Sequence, residues 1–177
     1  MNPQTIRQFT NRLKPYAITS VMSFCIGAAA MNYYHTHFEF IRKPQFSPTD
    51  YRGIAWETAH RYHIDATLLF AIINQESAWN PEAMSPVGAI GLMQIMPGTG
   101  LDFCDLTEAE LFDPTKNLDC GVRYFARQLK RFGTVKLALC AYNAGPSRVA
   151  KLGRCPRFKE TTHYTRNILT RWQGGVQ

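Results

Sequence analysis

Residues 65–77 read Asp-Ala-Thr-Leu-Leu-Phe-Ala-Ile-Ile-Asn-Gln-Glu-Ser, and this stretch decides the fold. Asp65 is a residue type that caps helix N-termini, because a short side-chain oxygen can accept from the free amides of the first turn. The run Leu68 to Ile73 is apolar on every face, so a helix from Ala66 to about Ser77 belongs at the centre of a core rather than on a surface. Glu76 closes that helix. It is an acid placed where the helix dipole presents its negative pole, and both that pole and burial favour the protonated carboxylic acid.

Outward from this helix the pattern stays helical. Ser47-Pro48-Thr49-Asp50 supplies a cap residue, Pro at the first helical position and an acid in the first turn, predicting a helix to about Tyr62. Asn80-Pro81 breaks the central helix, and residues 81 to 100 are rich in Gly and Pro, predicting a surface-lining loop with one short helix. Asp113-Pro114 starts an amphipathic helix with Leu118, Val122, Phe125, Leu129 and Phe132 at helical spacing, closed by Gly133. Thr134 to Tyr142 forms a further helix ending at Asn143-Ala144-Gly145. Tyr164, Ile168 and Trp172 set one apolar stripe on a last helix. No convincing period-2 strand appears, so the predicted fold class is all-α.

The chain of 177 residues has room for one compact domain with a short appendage. At 45% hydrophobic and 19% charged residues, with no internal repeat, it reads as globular rather than disordered. The appendage is N-terminal. From Pro15 to Tyr34 no side chain is charged, and Arg7, Arg12 and Lys14 precede the run. Twenty helical residues at about 1.5 Å each span roughly the 30 Å of a bilayer core. The positive-inside rule then places the N-terminus in the cytoplasm and the rest outside. The expected location is the inner membrane, single-pass, with the domain in the periplasm. Ala28-Ala29-Ala30 resembles a small-residue cleavage site, so the alternative is secretion to the periplasm after signal cleavage. Residues 1–35 are thus a cytoplasmic stub and membrane segment, 36–46 a linker, and 47–177 the folded domain.

The formal net charge of +7 is concentrated at the two ends, for residues 148–177 carry seven Lys/Arg against the single acid Glu160. Nucleic acid, anionic lipid and anionic wall polymer all suit such a balance, but a membrane segment ahead of the domain argues against nucleic acid. Of five cysteines, Cys25 lies in the apolar run without the small residues of a lipid-acceptor site. Cys104, Cys120, Cys140 and Cys155 permit two disulfides in an exported segment, with three possible connectivities. No CxxC or HxxxH pair supports a zinc site, and no metal or cofactor is expected.

Glu76-Ser77 is followed by Val87-Gly88-Ala89-Ile90-Gly91-Leu92-Met93-Gln94, then by Ala141-Tyr142-Asn143-Ala144-Gly145, then by Glu160-Thr161-Thr162-His163-Tyr164. The Glu-Ser pair, the Gly-Leu-Met-Gln segment, the Ala-Tyr-Asn segment and the Glu-Thr-x-x-Tyr segment, in this order, resemble the soluble lytic transglycosylase family with its lysozyme-like, goose-type catalytic domain. The resemblance implies that Glu76 is the single catalytic acid/base and that Ser77 orients it or the substrate. It implies that Gly91, Leu92, Met93 and Gln94 line the substrate cleft, that Tyr142 and Asn143 form its opposite wall, and that Tyr164 places its hydroxyl near the acid. On spacing alone, Leu92 and Met93 read equally well as core, and Tyr142 and Tyr164 as ordinary helix residues. Glu160 reads as a structural or capping acid. His35, His37, His60, His63 and His163 match none of the motifs.

With one carboxylate instead of the usual glycosidase pair, the family's solution is a lytic cleavage of the MurNAc-GlcNAc β-1,4 bond that leaves 1,6-anhydromuramic acid ends. The expected partner is therefore peptidoglycan glycan strands, with the membrane as anchor. A secretion or conjugation apparatus, or one that carries a phage genome into the cell, would use such an enzyme. A hydrolytic muramidase or a silent wall-binding protein are the alternatives. Cys140 stands where the family has a small apolar residue, and Cys155 lies in the loop before the Glu-Thr motif, which suggests a tethered loop. The fifteen residues between Cys104 and Cys120 form a loop between two helices that a bond would staple, which predicts that pair and leaves Cys140 with Cys155.

Overall fold

The computed structural model describes residues 50–174. Every regular element among them is helical: α1 (Arg52–Arg61), α2 (Ala66–Ser77), α3 (Pro114–Phe132), α4 (Val135–Ala144), α5 (Pro146–Leu152) and α6 (Lys159–Gln173). Between α2 and α3 the chain makes a single helical turn (Pro97–Thr99), a π-helical turn (Gly100–Cys104) and a 3-10 turn (Ala109–Phe112). The only extended pairing among the described residues is two isolated antiparallel bridges, Met84 with Ile90 and Ile90 with Ile95.

Helix α2 runs over the residues the sequence predicts, and Asp65 caps it by accepting from the amides of Thr67 (2.8 Å) and Leu68 (3.1 Å). It packs against α1 and α6, with Leu68, Leu69, Ile72 and Ile73 buried. It ends at Ser77, as the sequence predicts, ahead of Asn80-Pro81. Ala78 (φ 50°) and Trp79 (φ 68°) both adopt left-handed backbone, so the chain turns away directly after Ser77. Asp113 likewise caps α3 through the amides of Thr115 and Lys116, and Gly133 ends it at φ 73°.

The long α3 is the spine against which α4 and α1 lie, with Leu118, Val122 and Phe125 facing inward. Helix α6 crosses both α2 and α4 and buries Tyr164 and Ile168, with Trp172 packed against the same core. Helix α1 begins at Arg52, where the Asp50 carboxylate accepts from its amide. The predicted start at Ser47-Pro48 lies outside the described residues. So do the predicted membrane segment, residues 15–34, and the linker at 36–46. Among the described residues no helix is long and apolar enough to cross a membrane. Cysteines pair as the loop argument predicts, Cys104 with Cys120 and Cys140 with Cys155.

Candidate active site

The site is organised by a tight reversal at Ile90–Gln94. Ile90 and Ile95 exchange main-chain hydrogen bonds (3.0 and 2.9 Å), and the Gly91 amide donates to Ala83 O at 2.8 Å. Gly91 sits at φ 76°, and a Cβ there would come within 2.4 Å of Asn117 Nδ2 and 2.8 Å of Leu111 O. Only glycine satisfies both the backbone angle and the lack of space.

Three helices pin this reversal from outside. From α2, Ser77 Oγ lies 2.9 Å from Leu92 O. From α4, Tyr142 donates its hydroxyl to Met93 O at 2.8 Å. From α3, the fully buried Asn117 donates to Ile90 O and Leu111 O and accepts from the Met93 amide, each at 2.8 Å. Asn117 thereby satisfies three buried main-chain groups with one side chain, which is what makes an irregular loop tolerable inside a core. The sequence reading misses Asn117. Its only signal is a polar residue on the inward face of an amphipathic helix, next to Leu118.

This anchoring corrects several expectations. Leu92 and Met93 are fully buried, so their side chains are core, not cleft wall. The reversal turns both inward, and Gly121 makes the room: a Cβ there would lie 2.5 Å from the Met93 Cβ. Gln94 Nε2 donates to Ala83 O (3.1 Å) and Gly91 O (3.0 Å), so both amide protons serve the loop and only its carbonyl remains to accept from a ligand. Ser77 directs its hydroxyl to main-chain carbonyls, Leu92 O at 2.9 Å and Ile73 O at 3.3 Å, rather than to the Glu76 carboxyl.

What the fold does bring together is Glu76 and Tyr164. Glu76 occupies the last turn of α2, and Tyr164, on the inward face of α6, donates its hydroxyl to Glu76 Oε1 at 2.6 Å. Burial pushes the Glu76 carboxyl up to about 7. The Tyr164 hydrogen bond acts in the opposite direction, and the charge of Glu160 adds to the rise. Part of Glu76 remains open to solvent, so a substrate can reach it. Burial, reinforced by the Glu76 charge, holds both Tyr164 and Tyr142 well above the ordinary tyrosine range, so both stay neutral donors.

Asn143 faces Glu160, its Nδ2 donating to Glu160 Oε1 at 3.3 Å. Glu160 lies in the first turn of α6 but makes no side-chain cap there; it is a partner of Asn143 and a source of negative potential at Glu76. Tyr142 also continues into an aromatic series, edge-on to Tyr124 (5.7 Å between centroids), which is edge-on to Phe103 (5.2 Å). Among the described residues no three His, Cys, Asp or Glu side chains are grouped to hold a metal ion. The chemistry on offer is that of one carboxylic acid poised to lose and regain a proton near neutrality, fixed by a neutral phenol.

The described domain is similar to known proteins. Residues 54–165 match the model of the transglycosylase SLT domain. The soluble lytic murein transglycosylase of Escherichia coli is 38% identical over 127 residues, covering 60% of this chain and 20% of that protein. The membrane-bound lytic murein transglycosylase C of Mannheimia succiniciproducens is 32% identical over 139 residues, covering 70% of this chain and 38% of its own length. Among solved structures, the 70 kDa soluble lytic transglycosylase of Escherichia coli superimposes with a TM-score of 0.63 at 34% identity, over 71% of this chain and 24% of that one. The chain thus spans about a fifth of the soluble relative's length.

Proposed function

The chain belongs to the transglycosylase SLT domain family, and from that premise we propose that it is a peptidoglycan lytic transglycosylase in which Glu76 performs both proton transfers. The observation that carries this reading is the Glu76–Tyr164 pair: a carboxyl raised to about 7 whose Oε1 is fixed by a phenol.

With Oε1 engaged, Oε2 carries the proton to the glycosidic oxygen between the muramyl C1 and the next sugar. As that bond breaks, positive charge develops on C1 and the ring oxygen, and Glu76 is left as carboxylate. It then takes the proton from the C6 hydroxyl of the same muramyl sugar as that oxygen bonds to C1. The product is a 1,6-anhydro end, and Glu76 is again protonated. Because the nucleophile belongs to the sugar already bound, the second step is intramolecular and gains from proximity where a water would need its own site. Asn143, which donates to Glu160, and the Gln94 side-chain carbonyl are the polar groups of the matched motifs that can still meet the sugar, while Tyr142 braces the reversal from behind.

The finer setting follows from the N-terminal sequence: the uncharged run 15–34 behind three basic residues supports an inner-membrane anchor with the domain in the periplasm. Clearance of dye-labelled sacculi by the full-length protein tests the assignment of Glu76. Glu76→Gln keeps the shape but cannot exchange the proton, so clearance falls by roughly 10² to 10⁴ or more; undiminished clearance would remove Glu76 from the reaction.

A further inference from the structure

The basic C-terminal part of the sequence is not used by the proposed chemistry, and the structure gathers part of it around a cavity. A cavity of about 370 Å³ is lined by Lys136, Arg157 and Arg166, together with Thr162, Thr165 and Thr170 and the Cys155 end of the second disulfide. No acid lines it. Among the described residues none of the three cations makes an ion pair, and the Thr162 and Thr170 hydroxyls have no hydrogen-bond partner. Lys136, Arg157 and Arg166 are solvent-exposed, so all three cations are open to an anion from solution.

The cavity is separate from the active site. On a helix each residue advances about 100°, so Arg166 lies roughly 200° around α6 from Tyr164. Thr162, Arg166 and Thr170, four residues apart, form one stripe, while Tyr164 and Ile168 form the buried stripe on the other side. The backbone that carries these side chains is fixed in advance. Arg157 comes from the segment between α5 and α6 that the Cys140–Cys155 bond ties to α4, Pro156 beside it is buried, and Lys136 rises from the first turn of α4. Thr165 beneath them is buried against the Cys140 sulfur at 3.4 Å.

We propose that this cavity is a binding site for a phosphate oxyanion. Two guanidinium groups and an ammonium, with two free hydroxyls, match an acceptor of several oxygens and about two to three negative charges near neutral pH, as a phosphate monoester or diphosphate has. A carboxylate, with one charge and two oxygens, would leave two of the cations uncompensated. Its volume falls in the range of small-ligand cavities, roughly 300–1,000 Å³. The phosphate is either free in solution or part of a lipid headgroup.

The test is calorimetric titration of the full-length protein in neutral detergent with pyrophosphate, inorganic phosphate and acetate at matched ionic strength. The expected order is pyrophosphate, then phosphate, with acetate far weaker. Arg157→Gln/Arg166→Gln should weaken pyrophosphate by at least about tenfold, while Lys130→Gln/Arg171→Gln, which removes the same charge elsewhere, should leave it within about twofold. Repeating the pyrophosphate titration in phosphatidylcholine nanodiscs with and without phosphatidic acid, a lipid phosphate monoester, separates the sources: suppression only with phosphatidic acid makes a lipid headgroup the occupant, and equal binding makes it free phosphate. No pyrophosphate binding by the wild type, equal loss in both double variants, or acetate binding as tight as phosphate would each overturn the proposal.

Discussion

The Tyr164 hydroxyl donates to Glu76 Oε1 at 2.6 Å, joining the inward face of α6 to the last turn of α2 across 88 residues of sequence. Around the pair, Glu160 adds negative potential, while Ser77, Tyr142 and Asn117 hold the neighbouring Ile90–Gln94 reversal. Burial raises the Glu76 carboxyl, Tyr164 restrains that rise, and Glu160 adds to it.

The opposing influences of Tyr164 and Glu160 predict opposite shifts in the pH–rate profile. General acid catalysis needs protonated Glu76, so the rate falls as pH rises through about 7. Tyr164→Phe removes a hydrogen bond that favours the carboxylate, and the descending limb should move to higher pH as the maximal rate drops. Glu160→Gln removes a like charge, and the limb should move to lower pH. Profiles of initial sacculus digestion rate, taken across the neutral range, check both. Limbs that do not move, or that move the same way, would contradict the electrostatic assignment.

The same raised carboxyl makes Glu76 a liability for stability above neutrality. Between its ordinary value of 4.5 and about 7 the folded protein holds a proton that the unfolded chain releases. The stabilisation from that proton is complete below about 4.5 and is lost as pH rises through about 7. Glu76→Gln is neutral at every pH, so its advantage over wild type should grow across this window, by no more than about 3 kcal/mol, and by less to the extent that solvent reaches the group. Thermal melts at pH 4 and pH 8 would show the variant gaining a few degrees only at the higher pH.

Much of this was legible from residue pattern. The apolar run 68–73, with Asp65 before it, marks α2 to the residue, and the Asp113-Pro114 start and Gly133 stop mark α3. Glu76 stands out as an acid at the end of an apolar helix, but its expected role comes from the four ordered motifs; the cysteine pairs follow from the loop that a Cys104–Cys120 bond would staple. What pattern could not show is how an irregular loop folds inward. The resemblance implies cleft wall for Leu92, Met93 and Gln94, whereas pattern alone left Leu92 and Met93 equally open to the core; their side-chain directions depend on two positive-φ residues, Gly91 and Gln94, and on the polar clamp of Asn117. The helix α5 and the 3-10 turn at Ala109–Phe112 are too short to carry a period. Ser77 has a fixed position in sequence beside Glu76, but on a helix adjacent residues point about 100° apart, and its hydroxyl goes to Leu92 O.

Gly91 is the position where that loop is most exposed to a small change. Gly91→Ala adds a methyl 2.4 Å from Asn117 Nδ2 at a φ of 76°, so either the clamp or the turn must give way. The expected cost is about 2–4 kcal/mol, from backbone strain together with displaced buried hydrogen bonds. Gly98→Ala is the control, since its added carbon meets nothing within 4 Å and its φ is not positive. Denaturant melts should separate the two variants clearly; equal stabilities would show that the reversal is not held as described.

The most direct measurement of the central claim is the mass of the ends that the enzyme makes. Purified sacculi digested with the full-length protein, followed by mass spectrometry of the released muropeptides, report whether water was added to the broken bond. Intramolecular attack by the muramyl C6 hydroxyl predicts muropeptides about 18 Da lighter than hydrolytic ones, non-reducing at the muramyl end, and absent from a Glu76→Gln digest. Predominantly reducing ends, carrying the mass of an added water, would contradict it and make the enzyme a muramidase.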